Sequence, residues 1–253
     1  MGNWKIGEST NWPIGKFINR GDFLNFILSG IQQALQLIFS LDREIFNIVL
    51  LSLRVSLTAV GLASLIGIPI GFLMTIKNYY GKKFTVALVN TFLALPTVVI
   101  GLIVYSLISR RGPLGVFGLL FTPLAMIIGQ FILATPIVIA LTHSALQGID
   151  RRVRKTALTL GATKLQSAWT VIKEARYAIL EAITTAFGRV IAEVGAAMML
   201  GGNIKGSTRV MTTAIALETA KGEFGFGIAL GIILLLIAFS INIFLHYFQS
   251  RRG

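Results

Sequence analysis

Apolar residues dominate five long stretches of the chain, and short polar or basic segments separate them. A helix needs ~20 residues to cross a hydrocarbon core of about 30 Å, and each stretch meets that length. The pattern therefore predicts an all-α integral membrane protein with five membrane-spanning helices. Their predicted ranges are 46–76, 86–108, 117–142, 179–200 and 227–248.

Prolines interrupt three of these stretches. Pro96 lies near the middle of the second stretch, and Pro123 and Pro136 lie in the third. Pro69 and Gly71 are expected to bend the end of the first. Membrane helices tolerate proline where neighbouring groups satisfy the freed carbonyls. We therefore predict broken or mobile segments at these positions.

A shorter stretch at 23–41 carries its polar residues on one side of a helix. Spacings of three and four place them on a single stripe, formed by Asn25, Ser29, Gln32, Gln36 and Ser40. Such a stripe is typical of an amphipathic helix lying in the headgroup region, and a sixth span is the alternative. Residues 1–22 are predicted to form a polar N-terminal extension, and 23–250 a single transmembrane domain.

Composition supports the membrane assignment. Of the 253 residues, 55% are hydrophobic and only 13% are charged, whereas soluble domains carry roughly 25% charged residues. The net charge of +13 would suggest nucleic acid in a soluble protein. The positive-inside rule accounts for it here without a nucleic-acid partner. The chain has no cysteine and two histidines, so we expect no disulfide and no metal site.

Basic residues between the stretches set the predicted orientation. They concentrate in the loop 77–83, the loop 148–177 and the C-terminus. Five spans place all three on the cytoplasmic side, while Arg110 and Arg111 remain outside as exceptions. The N-terminus is then outside if 23–41 does not cross. Lys5, Lys16 and Arg20 instead favour an inside N-terminus and a sixth span.

The cytoplasmic loop 148–177 has a helical pattern on both sides of Gly161. Apolar residues recur before it at Val153, Ala157 and Leu160, and they recur after it as well. A glycine between two short amphipathic helices permits a sharp turn. The pattern predicts a protruding helix–turn–helix with an apolar face that needs a partner.

This loop resembles the EAA loop of ABC importer permeases, which inserts into a cleft of the ATPase subunit. Residues 155–161 read KTALTLG, where the family reads E-A-A-x-x-x-G. Lys155 and Thr156 therefore depart from the family pattern, as does the VIKE segment at 171–174. The resemblance implies that the loop couples to the ATPase through Lys155, Thr156, Ala157, Leu160, Gly161 and Ala162.

Two further segments are similar to the molybdate, tungstate and sulfate branch of these permeases. They are LALPTVVIGLIVYSLISRRGPLG at 93–115 and a long block at 187–235. The second is most similar to tungstate-uptake permeases. The resemblance implies a type I importer fold in a prokaryotic inner membrane and transport of tungstate, with molybdate or sulfate as alternatives.

The resemblance also implies the partners. Two permease copies would form the anion path at a two-fold axis, and two ATPase subunits would hold ATP and Mg²⁺. An extracytoplasmic solute-binding protein would deliver the anion. We expect no cofactor in this chain and no enzymatic activity of its own. A secondary anion transporter or channel is the alternative from another class, although we find no internal repeat that supports it.

Arg189 and Glu193 are ionisable residues well inside the fourth predicted span. Such groups are costly at membrane depth unless paired or wetted. Their spacing of four allows a mutual ion pair, which either lines a gate in the translocation path or holds the structure together. Arg54 in the first span either reaches back to the outer interface or faces the path.

The outer loop after the fourth span contains glycines and cations that could meet an anion. Its candidate residues are Asn203, Lys205, Thr208 and Arg209. The alternative is an ordered loop that contacts the binding protein.

Overall fold

The computed structural model describes residues 42–77 and 79–250, with single residues at 28, 31, 32, 35, 36 and 40 before them. The side chains of 151 and 244–250 are outside this description. The predicted extension 1–22 lies outside the described residues, and so does most of the stretch 23–41. Interfacial and crossing helices therefore both remain predictions for that stretch.

Every regular element in the described part of the chain is a helix. In chain order these are α1 (Arg43–Ile76), α2 (Lys82–Leu93), α3 (Thr97–Ile108), α4 (Pro123–Gln147), α5 (Arg151–Thr159), α6 (Lys164–Glu174), α7 (Arg176–Ile191), α8 (Gly195–Gly201), α9 (Met211–Lys221) and α10 (Phe224–Ser250). A short 3₁₀ helix, Gly115–Phe117, precedes α4. The predicted all-α class is confirmed.

Three helices, α1, α4 and α10, are long and apolar enough to cross a membrane unbroken. Asp42 caps α1 by accepting hydrogen bonds from the amides of Glu44 (2.7 Å) and Ile45 (3.3 Å). The helix continues through Pro69 to Ile76. The predicted start of the third span at residue 117 is wrong, because Thr122 caps α4 and Pro123 occupies its first position, where proline loses no intrahelical hydrogen bond.

The second and fourth predicted spans are broken rather than continuous. The axes of α2 and α3 differ by 94°, and those of α7 and α8 by 61°. The first break follows from Pro96, because proline offers no amide proton and disfavours helical backbone at the residue before it. The second break contains Glu193 and no proline. The described chain thus holds three unbroken spans, or up to five if each bent pair counts as one.

Small residues bring α1 close to α4. A Cβ on Gly67 would lie 2.9 Å from Val138 Cγ1, and one on Gly71 would lie 2.8 Å from the carbonyl oxygen of Ile139. Lipid provides little hydrophobic drive for helix association, so close van der Waals packing of this kind stabilises the pair. The core beside this crossing is also built from small residues, including Ala63 and Ala134, which are fully buried.

The two polar loops lie at opposite ends of α1. Its last residue, Ile76, lines a cavity together with Arg154 and Lys155 of the cytoplasmic loop. Near its start, Glu44 forms an ion pair with Lys205 of the outer loop. The helix has 34 residues and is about 50 Å long. The fold therefore separates the coupling loop from the outer loop across the whole membrane.

We expect Gly71→Ala to lower the stability of the fold by about 1–3 kcal/mol, because the new Cβ would collide with the backbone of α4. Gly61→Ala on the same helix is the matched control, since nothing lies within 4 Å of a Cβ there. That substitution should be neutral or stabilise α1 by up to about 1 kcal/mol. Thermal unfolding in detergent checks both. Equal losses in the two variants would contradict close packing at Gly71.

Candidate translocation and coupling sites

The helices that follow the two breaks, α3 and α8, pack against each other near their first turns. A Cβ on Gly195, at the start of α8, would lie 2.9 Å from Val98 Cγ2 of α3. One on Gly101 of α3 would lie 3.1 Å from the Cα of Ala196. A small cavity beside these contacts is lined by Leu95 from the first break and Arg189 next to the second. The two broken spans therefore contact each other at this site.

Glu193 holds the second break in place. Its side chain is 4% exposed and its Oε2 accepts a hydrogen bond from Nη1 of Arg189 at 3.1 Å. Its Oε1 accepts from the amide of Ala196 at 3.2 Å, which satisfies a free donor at the start of α8. Its carbonyl accepts from the hydroxyl of Thr212 at 2.8 Å. One residue thus links α7, α8 and α9.

The predicted ion pair of Arg189 and Glu193 is confirmed, and its geometry has an unexpected feature. Helix α7 ends at Ile191, so the pair spans a helix end instead of lying along one continuous face. Arg189 is 53% exposed on its side chain, whereas the carboxylate is buried. A buried carboxylate requires paired or hydrogen-bonding donors, and Arg189 and the Ala196 amide supply them.

A buried glutamine, missed in the sequence, lies beside the same break. Gln130 of α4 is 4% exposed, and its Nε2 donates to the carbonyl of Val190 at 3.5 Å. Its Oε1 has no hydrogen-bond partner. Gln130 could have been singled out from the sequence, because it is an amide side chain within the largely apolar stretch 117–142. An amide at this depth supports the backbone where α7 is about to end.

The outer loop is fixed by its own buried side chains. Asn203 adopts a positive φ of 50°, donates to the carbonyl of Thr213 at 3.2 Å and accepts from its hydroxyl at 2.9 Å. The Thr208 hydroxyl donates to the carbonyl of Gly201 and accepts from the Ile204 amide. Asn203 and Thr208 are therefore buried, and their side chains are hydrogen-bonded to the loop and to the flanking helices α8 and α9.

Arg209 and Lys205 tie this loop to two helices. Glu44 of α1 pairs with Lys205 at 2.6 Å and with Arg209 at 3.5 Å. Glu218 of α9 pairs with Arg209 at 3.3 Å and with Lys221 at 3.0 Å. The Arg209 side chain is only 10% exposed, whereas Lys205 is well exposed. Sequence reasoning named both cations and missed the two carboxylates that position them.

The cytoplasmic loop has the predicted helix–turn–helix form. Gly161 between α5 and α6 has a φ of +86°, and the amide of Ala162 donates to the carbonyl of Ala157 at 3.0 Å. This is the hydrogen bond of a Schellman motif, which favours glycine at the left-handed position. Thr163 then starts α6 with a capping box completed by Gln166. Local sequence chemistry specifies the whole turn.

The coupling loop presents an apolar surface to the outside. Leu160 is 82% exposed, Leu165 is 81% exposed and Trp169 is 58% exposed. Lys155, Thr156 and Gly161 are also exposed, and Ala157 and Ala162 are partly buried. Large apolar side chains grouped on a protruding tip mark a protein-contact surface.

The opposite side of the coupling loop is anchored to the membrane helices. Val171 of α6 is buried in one cluster with Leu146 of α4 and Ile179 of α7. Ala168 is buried on the same face of α6. The coupling loop is therefore packed onto α4 and α7, and α7 ends at Ile191, two residues before Glu193.

His143 supports the contact between α1 and α4. Its Nδ1 lies 2.8 Å from the hydroxyl of Thr75, and its Nε2 lies 3.0 Å from Nε2 of Gln147. Both ring nitrogens are thus engaged in hydrogen bonds. Among the described residues, no group of three or more histidine, cysteine or acidic side chains could hold a metal ion.

The fold thus combines two broken apolar spans with a protruding helix–turn–helix loop. Residues 67–253 match the family described as "Binding-protein-dependent transport system inner membrane component", and the chain belongs to that family. It is thus an inner-membrane permease subunit, not an enzyme, as the sequence predicted. Family membership also overturns the alternative of a secondary transporter or channel.

Relatives with assigned names agree with this family. The chain is 46% identical to the tungstate uptake system permease protein TupB of Campylobacter jejuni, over 88% of this chain and 94% of that protein. It is 39% identical to TupB of Peptoclostridium acidaminophilum, over 90% and 100%. It is 30% identical to the molybdenum transport system permease protein ModB of Escherichia coli, over 75% and 90%.

Solved structures share the fold. An inward-facing MetNI methionine ABC transporter matches with a TM-score of 0.67 and 17% identity, over 85% of this chain and 97% of that one. A bacterial ABC transporter that imports alginate matches with a TM-score of 0.65 and 19% identity, over 91% of both chains. The predicted type I importer permease fold is confirmed.

We expect Arg189→Gln to destabilise the second break, because the buried Glu193 carboxylate then keeps only the Ala196 amide. The double variant Arg189→Gln/Glu193→Gln should recover part of the loss, since no unpaired buried charge remains. Melting temperatures in detergent check this order. A double variant that melts below the single variant would contradict it.

The charge-reversed pair Arg189→Glu/Glu193→Arg distinguishes the two interactions of Glu193, its ion pair with Arg189 and its hydrogen bond from the Ala196 amide. An arginine at 193 cannot accept the Ala196 amide, so we expect this variant to stay destabilised by about 1 kcal/mol, the usual value of a helix N-cap. Thermal unfolding beside the wild type measures it. Wild-type stability with normal transport would show that Glu193 acts only as an ion-pair partner and that the pair has no gating role.

Proposed function

We propose that this chain is the permease subunit of an ATP-driven tungstate importer. The observation that carries the proposal is the difference in identity among its relatives. It is 46% and 39% identical to two permeases named for tungstate uptake. It is 30% identical to one named for molybdenum transport and 29% identical to one named for sulfate transport. Molybdate and sulfate remain the alternative substrates.

The coupling loop is proposed to bind the ATPase subunit. Its exposed apolar tip, formed by Leu160, Leu165 and Trp169, requires a partner surface. The flanking Lys155, Thr156 and Gly161 are accessible to the same partner. We infer two ATPase subunits, which hold ATP and Mg²⁺, and two permease copies related by a two-fold axis. This chain itself would catalyse no reaction, since ATP is hydrolysed on the ATPase subunits.

The outer loop is proposed to receive an extracytoplasmic binding protein. The alginate transporter that shares this fold has been solved in complex with a periplasmic protein, which supports such a partner here. Lys205 is the most accessible of the four outer candidates, with a side chain 67% exposed. Asn203, Thr208 and Arg209 would act indirectly by holding the loop in shape.

A mechanism follows from the contacts that join the coupling loop to α7 and to the second helix break. Closure of the ATPase subunits would shift α5 and α6 as one body. Because α6 shares a buried cluster with α4 and α7, α7 would move with them. The motion would then reach Glu193 and the contact between Gly195 and Val98. Irregular segments that already lack helical hydrogen bonds can rearrange between two packed states at low cost.

Reconstitution with the ATPase and binding subunits tests the proposed function. We expect uptake of radiolabelled tungstate that requires ATP and the binding protein, with weaker uptake of molybdate and sulfate. Uptake without ATP would contradict an ABC importer. Stronger uptake of sulfate or molybdate would contradict the assigned substrate and leave the importer role intact.

Gly161→Ala should impair coupling. An L-residue at a φ of +86° costs about 1–2 kcal/mol, so the turn should shift and present its apolar tip differently. We expect ATP-dependent uptake to fall several-fold and the ATPase subunit to bind more weakly. Transport assays and pull-down of the ATPase subunit measure the two effects.

Gly222→Ala provides the matched control. Gly222 has a φ of +87°, no atom within 4 Å of a Cβ, and the same type of hydrogen bond beyond it, from Glu223 to Glu218. It follows α9 at the other end of the protein. The loss of stability should be similar, yet ATPase binding should be unchanged. Equal loss of ATPase binding in both variants would contradict the coupling role of Gly161.

A further inference from the structure

A cavity of about 500 Å³ opens at the outer end of the protein, between the first turns of α1 and the outer loop. It lies beside Glu44, the anchor of Lys205 and Arg209. Four cationic side chains line it, from Arg43, Arg54, Lys205 and Arg209, against the single carboxylate of Glu44. The lining thus carries an excess of three positive charges. A concave surface with one sign of charge concentrates small ions of the opposite sign.

The acidic residues nearby pair with Lys205 and Arg209 but not with Arg43 or Arg54. Glu218, which does not line the cavity, pairs with Arg209 as well as with Lys221. Glu44 is already shared between Lys205 and Arg209. Arg43 and Arg54 form no ion pair within the described part of the chain, and both are exposed. Arg43 and Arg54 are therefore the cations of the lining that remain available to an anion.

Arg54 extends the cavity into the membrane. Arg43, Asn47, Leu51 and Arg54 all line it, because spacings of three and four keep them on one face of α1. Arg54 lies eleven positions after Arg43, which corresponds to about 16 Å along the helix. An arginine at that depth is costly against lipid, and such residues face water-filled cavities. Arg54 lines this open cavity, which gives its guanidinium group a route to water.

We propose that this cavity is a capture site that binds the tetrahedral oxyanion weakly, between release from the binding protein and passage through the permease. The inference rests on the proposed function. The guanidinium groups of Arg43 and Arg54 match the oxygens of a dianion, and Arg54 draws the anion inward from the rim. Binding is weak because the site is open and Glu44 opposes it, and an anion in transit must be able to leave.

The absence of cysteine in the chain allows a direct test. Ser207→Cys introduces a single thiol at an exposed lining position. The permease, in nanodiscs of phosphatidylcholine with no binding protein, is treated with an anionic or a cationic methanethiosulfonate reagent. We expect the anionic reagent to react several-fold faster than the cationic one. Millimolar tungstate should slow the anionic reaction, because both anions compete for one cavity.

Charge variants assign the effect to the cavity. In the Ser207→Cys background, Arg54→Gln should reduce both the preference for the anionic reagent and the protection by tungstate. Arg54→Lys should restore both. Arg110→Gln is the matched control, since it removes an exposed cation that does not line the cavity, and it should change neither. An equal effect of Arg54→Gln and Arg110→Gln would overturn the inference.

The outcomes also separate this inference from the proposed function. ATP-dependent tungstate uptake without tungstate protection at Ser207→Cys would overturn the capture site alone. Loss of binding-protein affinity in Arg54→Gln, again without protection by tungstate, would show that the cavity docks an acidic protein surface instead. Protection by sulfate but not by tungstate would overturn the assigned ligand, and the uptake assay would then decide the substrate independently.

Discussion

Inside a bilayer every backbone N–H and C=O group must find its partner within the protein, because hydrocarbon offers none. The two helix breaks depend on this constraint. At the first, Pro96 lacks the amide that would otherwise be left free. At the second, the carboxylate of Glu193 accepts the amide of Ala196, its own carbonyl accepts from Thr212, and Gln130 donates to Val190. The second break can therefore exist only because polar side chains inside an apolar bundle satisfy its backbone groups.

The same constraint applies to the surroundings of the breaks. An irregular segment exposed to lipid would leave backbone groups unpaired, and the helices that follow the breaks, α3 and α8, pack closely against each other. Close approach requires small residues, and Gly101 and Gly195 provide it, as Gly67 and Gly71 do where α1 crosses α4. The coupling loop is joined to α7, the helix that precedes the second break, through the buried contacts of Val171 and Ile179.

Charge is distributed to match this arrangement. The cytoplasmic cations lie on the coupling loop, whose tip is apolar. The outer cations line a cavity and belong to Arg43, Arg54, Lys205 and Arg209. Glu44 and Glu218 organise that outer group by ion pairs that cross from α1 to α9. The net charge of +13 thus has two separate physical roles, one in membrane orientation and one in the local field of the outer cavity.

The helix–Gly161–helix turn could be predicted from sequence because its determinants are local. A left-handed glycine and the Thr163 capping box act within a few residues. The ion pair of Arg189 and Glu193 was predictable for the same reason, since the two residues are four apart. Gln130 and Glu44 could not be placed from sequence, because their partners lie on distant elements, as Glu44 and Arg209 do at 165 positions apart. Glu218 has nearer partners, Arg209 nine positions before it and Lys221 three positions after it, so its ion pairs were within reach of a sequence prediction.

The sequence by itself thus determined that the protein resides in a membrane, the number of apolar stretches and the form of the coupling loop. Hydrophobicity, charge and turn chemistry are summed over neighbouring residues, which is why they could be read directly. Only the tertiary structure decided that two of the stretches are broken, that the helices after the breaks pack together, and that four cations share one cavity. Each of those features depends on which surfaces meet, and helix packing sets that through contacts between residues far apart in the chain.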